Sequence, residues 1–159
     1  IGRLVGSEMC IRDRHKIVGI NSRLDSLNAF VLNEKLKIFH KISKTRNDFY
    51  KYYVDNLSDC DFIKLPKKEN SNILLNYFTI SINKNLRDKL MDYLKINGIT
   101  TSIYYKTPVH QLPALSFMNK SFKLDKTVNA SKTVLSLPLY PFAKKSEMER
   151  VVKKILNFS

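Results

Sequence analysis

Cysteine is scarce in this chain, and the scarcity excludes two ways of holding a small domain together. Cys10 and Cys60 have no metal-ligand spacing, and two thiols do not staple a chain of 159 residues. A reduced, cytoplasmic setting is the expectation. No apolar run reaches the roughly 20 residues of a membrane span. Glycine is also rare, at four residues, and no Gly-rich phosphate loop is present; nor is there a metal constellation or a nucleophile elbow. Internal repeats and low-complexity tracts are absent. Acidic residues are outnumbered, 14 Asp and Glu against 28 Lys and Arg, for a net charge of +14. Such a balance raises nucleic acid or an anionic membrane as a partner. The lysines are dispersed, however, with Lys67-Lys68, Lys144-Lys145 and Lys153-Lys154 as the contiguous pairs. A solvated lysine-rich surface accounts for them, so neither nucleic acid nor a membrane is expected as a partner. A stand-alone basic nucleic-acid-binding module is the alternative, and it lacks clustered arginines and a recognition motif.

What is present suits one modest core, since 43% of the residues are hydrophobic. The first fourteen residues stand apart: they hold Arg3, Arg12 and Arg14 and no lysine, while the rest carries every lysine. Residues 1–14 are therefore set aside as a non-native scar. From His15 the organisation is regular. Ser22 and Asp25 form a capping-box pattern, and Leu24, Leu27, Val31, Leu36 and Phe39 recur at helical spacing. Phe49, Tyr53 and Leu57 extend the pattern, with a bend expected near Phe39 to Ser43. Residues 15–58 are thus a turn and a long helix, and 59–159 a second region.

Within that second region a short extended piece is expected around Phe62 to Leu65. A strand follows over Ile73 to Ile82, where Leu74, Phe78, Ile80 and Ile82 share a face. Asn85 is expected to cap a helix that ends at Asn97-Gly98. Ile99 to Tyr105 reads as another strand, leading into a proline-bounded loop. A helix over Asp125 to Lys132, a strand over Val134 to Leu137 and a last helix opened by Ser146 and Glu149 complete the pattern. Strands covered on one side by helices make an α+β layer arrangement.

Three blocks carry candidate chemistry, and each has two local readings. In Gly19-Ile-Asn-Ser-Arg-Leu-Asp25, Asn21 and Ser22 are simple helix caps, and Arg23 with Asp25 an exposed pair. The same amide and guanidinium at a helix start also suit a phosphate or carboxylate. In Tyr104-Tyr-Lys-Thr-Pro-Val-His110, the tyrosines serve packing and His110 is a surface residue, or Tyr105 and His110 bind the phosphates or hydroxyls of a ligand. The third block is Leu135-Ser-Leu-Pro-Leu-Tyr-Pro141.

Taken in order, the blocks resemble the DegT/StrS-type sugar aminotransferases over about His15 to Ser159. The stretch from Gly19 to Phe39 is similar to that family's G-x-N-x-R-x-D turn and following helix. Gly98 to Tyr105 with Pro108-Val-His110 is similar to its glycine-isoleucine strand and proline-histidine loop. The chain departs from the family pattern at Asn28, Phe30, Tyr104 and Lys106. The resemblance implies the small C-terminal domain of a type I PLP-transferase fold with the long inter-domain helix, and pyridoxal phosphate (PLP) as cofactor. It implies that Asn21 reaches the cofactor phosphate of a partner subunit in a homodimer, and that Arg23, Tyr105 and His110 contact a nucleotide-linked keto sugar. Within the family the likeness points to UDP-linked 3-keto hexuronic acids, with glutamate as amino donor and amino sugars for surface polysaccharide as the product. It places the Schiff-base lysine upstream of Gly19, so the chain is expected to be a C-terminal portion, inactive alone and without a catalytic residue of its own.

Overall fold

The computed structural model describes residues 23–67, 76–117 and 123–158. The first described elements are helix α1, Ser26–Lys37, and α2, Phe39–Leu57. Strands β1, Ile63–Lys64, and β2, Phe78–Ile82, are followed by α3, Lys84–Ile96. Helix α4, Asp125–Thr133, then leads directly into β3, Val134–Leu137, and α5, Lys145–Leu156, closes the fold. The expected long helix is therefore two, broken at Ile38, whose φ of −107° and ψ of 7° leave the helical region just before the stretch where a bend was expected.

The three strands form an antiparallel sheet in the order β1-β2-β3, with Phe78 opposite Leu137 and Ile63 opposite Ile82. Alternation in β2 decides which face is packed: Phe78, Ile80 and Ile82 are buried, while Thr79 and Ser81 are half-buried. Tyr50 and Tyr53 of α2 lie against Phe78 with ring centroids 5.2 and 4.8 Å apart. Met148, Val151, Val152 and Ile155, one stripe of α5, complete this core beside Leu90 and Leu94 of α3. The mixed α+β class is as expected.

Local chemistry sets the helix ends, at positions that differ from the sequence expectation. Helix α1 is capped by Asp25, whose Oδ1 accepts from the Asn28 N–H at 2.8 Å, rather than by Ser22, which lies outside the described residues. Asn83, not Asn85, caps α3, because only a residue before the first turn can turn its side-chain oxygen onto a free N–H. At α5 the reciprocal bond comes from Glu147, whose Oε2 accepts from the Lys144 N–H at 2.6 Å, so the helix starts one residue before Ser146.

The C-terminus of α3 is as expected. Gly98 has φ +71°, its N–H donates to Lys95 O and the Ile99 N–H to Leu94 O, at 2.9 and 2.8 Å. These two bonds are a Schellman motif, and Ile99 buries itself beside Leu94 as that motif requires.

The strand expected over Ile99 to Tyr105 is not formed. A single bridge pairs Ser102 with Ser136, through N–H to O bonds of 3.1 and 2.7 Å in the two directions. Threonine, isoleucine and tyrosine favour extended backbone, but a ladder needs a partner of matching length, and β3 gives way to the Pro138 turn.

Candidate functional site

The second and third blocks meet at a cleft of about 280 Å³. The Ser102–Ser136 bridge holds the two segments together, and Thr79 Oγ1 lies 2.8 Å from Ser136 Oγ behind them. Tyr104 forms part of the wall and faces Tyr77 with ring centroids 4.3 Å apart, a tilted pair. Across from them the Pro138 turn is tied to α2, because the Tyr53 hydroxyl donates to Pro138 O at 2.9 Å, with Met148 Sδ equally near. Burial pushes the Tyr53 hydroxyl's pKa well up, so it stays a donor.

Tyr140 supplies another side of the cleft, and its position follows from the start of α5. Glu147 caps that helix and also bonds the Tyr140 hydroxyl. The Lys144 N–H, and after it the Tyr140 hydroxyl, hold the Glu147 carboxyl below its ordinary range; burial, and then the Glu147 bond, raise Tyr140. One carboxylate thus orients both the helix and an aromatic wall.

Arg46 of α2 contributes a guanidinium to the same cleft. Its Nη1 donates to Asn76 Oδ1 at 2.8 Å, while Nε is buried with no hydrogen-bond partner. Sequence reasoning missed Arg46, Asn76 and Tyr77. A signal was available, since after residue 14 the chain uses only Arg23, Arg46, Arg87 and Arg150 among its many lysines. Three of the four make the directed contacts that a planar fork allows. Besides Arg46, Arg87 Nη1 donates to Ser131 O at 3.4 Å and Arg150 Nη2 to Asn97 O at 2.5 Å.

None of the described residues chosen from sequence, Arg23, Tyr105 and His110, lines this cleft. Tyr105 is exposed and meets Tyr104 edge to face at 5.6 Å, so Tyr104 rather than Tyr105 lines the cavity. His110 sits half-buried in a short 3-10 turn, Val109–Gln111, held by the Gln111 N–H bond to Pro108 O at 2.9 Å. Arg23 is exposed just ahead of α1 and is not in the cleft lining. It does not pair with Asp25, whose two oxygens are taken by the Asn28 backbone and side-chain amides at 2.8 and 2.5 Å. Asn21 lies outside the described residues.

Fold and cleft together define an α+β domain with a cavity the size of a small polar molecule. The chain belongs to the DegT/DnrJ/EryC1/StrS aminotransferase family, whose model matches residues 3–156, beginning inside the arginine-bearing first stretch. A pleiotropic regulatory protein of Geobacillus stearothermophilus is 32% identical over 148 residues, taking in 91% of this chain and 39% of that protein. The UDP-2-acetamido-2-deoxy-3-oxo-D-glucuronate aminotransferase of Pseudomonas aeruginosa is 30% identical over 92% of this chain and 40% of its own length. Among solved structures, that of S. venezuelae DesV in complex with a ketimine intermediate superposes with a TM-score of 0.79 at 28% identity, covering 91% of this chain and 39% of DesV. This chain therefore spans about two fifths of the proteins it matches.

Aminotransferases of this family are PLP-dependent. The described residues do not themselves fit that cofactor. Every described lysine is exposed except Lys154, which is half-buried on α5 and does not line the cleft. A lysine that forms an imine must sit desolvated within reach of the cofactor. Among the described residues no helix is long and apolar enough to cross a membrane.

Proposed function

We propose that this chain is the C-terminal portion of a PLP-dependent aminotransferase that aminates a nucleotide-linked keto sugar, and that it forms the small domain and linking helix of that enzyme. The observation that carries the reading is the family match along nearly the whole chain. Names of relatives refine it. The Pseudomonas aeruginosa protein acts on a UDP-linked 3-oxo glucuronate, so a UDP-linked 3-keto hexuronate is the proposed substrate class, with glutamate as donor and an amino sugar for surface polysaccharide as product.

In this reading Asn21 contacts the phosphate of PLP held by the partner subunit of a homodimer, and the Schiff-base lysine belongs to a part of the enzyme outside this chain. PLP supplies the electron sink for amino transfer. Arg23 takes the uronate carboxylate, in keeping with its lack of a carboxylate partner among the described residues. Tyr105 and His110 line the sugar-nucleotide site.

The test uses the longer enzyme that contains this chain. Purified, it should bind PLP stoichiometrically, and it should release 2-oxoglutarate from glutamate beyond one equivalent per active site only when a UDP-linked 3-keto sugar is added. An enzyme that binds no PLP overturns the family-level function, whereas one that binds PLP but ignores uronates overturns the substrate class alone. The 159-residue chain by itself should bind no PLP specifically and show no transamination.

A further inference from the structure

We propose that the cleft at Arg46 is an oxyanion subsite, taking a carboxylate or phosphate borne by a small hydroxylated molecule. Arg46 is only partly exposed, one of its five donors is fixed by the neutral amide of Asn76, and its Nε is buried without a partner. No carboxylate of the described residues pairs with it, and none lines the cleft. A partly desolvated guanidinium with a neutral partner and an orphaned donor is a cation short of its anion.

Arg87 shows how the same chain treats an arginine that serves only the fold. It is more deeply buried, yet it has the Asp88 carboxylate 2.7 Å from Nε and the Ser131 carbonyl on Nη1, although the Asp88 contact is misaligned for a hydrogen bond. Among the described residues Arg46 has no such counter-ion.

The rest of the cleft suits the hydroxyls that accompany such an anion. Ser102 and Tyr77 bring hydroxyls that both donate and accept, the Tyr140 hydroxyl, which bonds Glu147, can still accept, and the tyrosine rings give a sugar ring an apolar wall. At about 280 Å³ the cavity admits a sugar acid or the phosphate end of a nucleotide rather than a complete nucleotide sugar. Asn76, which bonds the guanidinium, fixes the direction of the fork, which is what separates a subsite from a loose surface charge.

Only the choice of natural ligand rests on the aminotransferase reading; the subsite itself rests on the cleft. The experiment is a titration of this chain, isotopically labelled, with inorganic phosphate, UDP, glucuronate and glutamate in turn, following the backbone amides of Ser102, Ser136 and Thr100. Saturable shifts at those amides are expected with at least one probe. A response to phosphate and UDP assigns the phosphate source, and one to glucuronate or glutamate the carboxylate source. Arg46→Gln should weaken binding at least tenfold. Asn76→Asp should do the same while keeping the fold, because it places an internal carboxylate on the guanidinium. Lys41→Gln, an exposed charge change of the same size, should leave binding unaltered. No saturable shift with any probe, or equal weakening by all three variants, overturns the subsite. Stoichiometric PLP binding by the longer enzyme would leave the aminotransferase reading standing in either case.

Discussion

Helix α1 and the second half of α2 are written in similar letters and meet opposite fates. Leu24, Leu27, Phe30, Val31, Leu32 and Leu36 place apolar side chains around and just ahead of α1, and all are exposed; the helix buries no residue. Phe49, Tyr50, Tyr53 and Leu57 of α2 are buried against the sheet and α5. The contrast lies in the arrangement of the apolar residues. In α2 they fall on one stripe, which a single sheet can cover, whereas in α1 they are spread around the helix among Asn28, Asn33, Glu34, Lys35 and Lys37, so no one layer of this chain covers them. An exposed surface of that kind marks an interface, in line with a chain that spans two fifths of its relatives.

The largest expected effect breaks the comparison at its buried end. Phe78→Ala removes the ring on which Tyr50 and Tyr53 pack, and should cost about 3–5 kcal/mol in urea unfolding. Phe30→Ala, in α1, should stay within about 0.5 kcal/mol by the same measurement. A comparable loss at Phe30 would show that α1 is packed within this chain. Self-association sharpens the same contrast. Sedimentation should show oligomers growing with concentration, and replacing Leu27 and Val31 by serine should reduce them.

A smaller effect belongs to the C-terminus of α3. Gly98→Ala forces a side chain into the left-handed region at φ +71° and brings its Cβ to about 3.2 Å from Arg150 Nη2, the group that bonds Asn97 O. A cost of about 1–2 kcal/mol is expected, read as a lower melting temperature, and the Arg150 shift should add little because its side chain is flexible. A neutral outcome would mean that the Schellman geometry does not persist in solution.

The smallest effect concerns acid. The Asn28 N–H, and after it the Asn28 side-chain amide, hold the Asp25 carboxyl below its ordinary value. Its folded pKa is depressed, so the cap's support for α1 is complete above the usual aspartate range and is lost as pH falls through the lowered value. Helical circular dichroism should therefore decline slightly in that acidic window, and Asp25→Asn should remove the decline. An identical acid response in the variant would assign it to another carboxylate.

Much of the fold was legible because periodicity and punctuation are local. The β2 alternation from Phe78 to Ile82, the apolar stripe of α5, the β3 strand and the glycine stop after α3 appear where the residues place them, while the expected start of β2 at Ile73 and Leu74 lies outside the described residues, and Asn76 and Tyr77 are not in the strand. Caps were misplaced by two or three positions, since several polar residues stood at each helix start and only backbone geometry selects among them. The candidate site was less legible. Tyr104, which lines the cleft, and Tyr105, which does not, are adjacent in sequence, and no local rule distinguishes them.

The amino-acid order by itself determined the helix and strand types, the core stripe and the likeness to an aminotransferase family, since each resides in residue types at fixed intervals. Only tertiary structure decided that Ser102 pairs with Ser136 without a strand, that Glu147 orients Tyr140, and that Arg46 stands by Asn76 with no carboxylate among the described residues to neutralise it. The residues of those pairs lie up to 34 positions apart, as Ser102 and Ser136 do. Distance along the chain carries no information about charge balance in a cleft; that balance is set by which groups the packed sheet and helices bring within hydrogen-bonding reach.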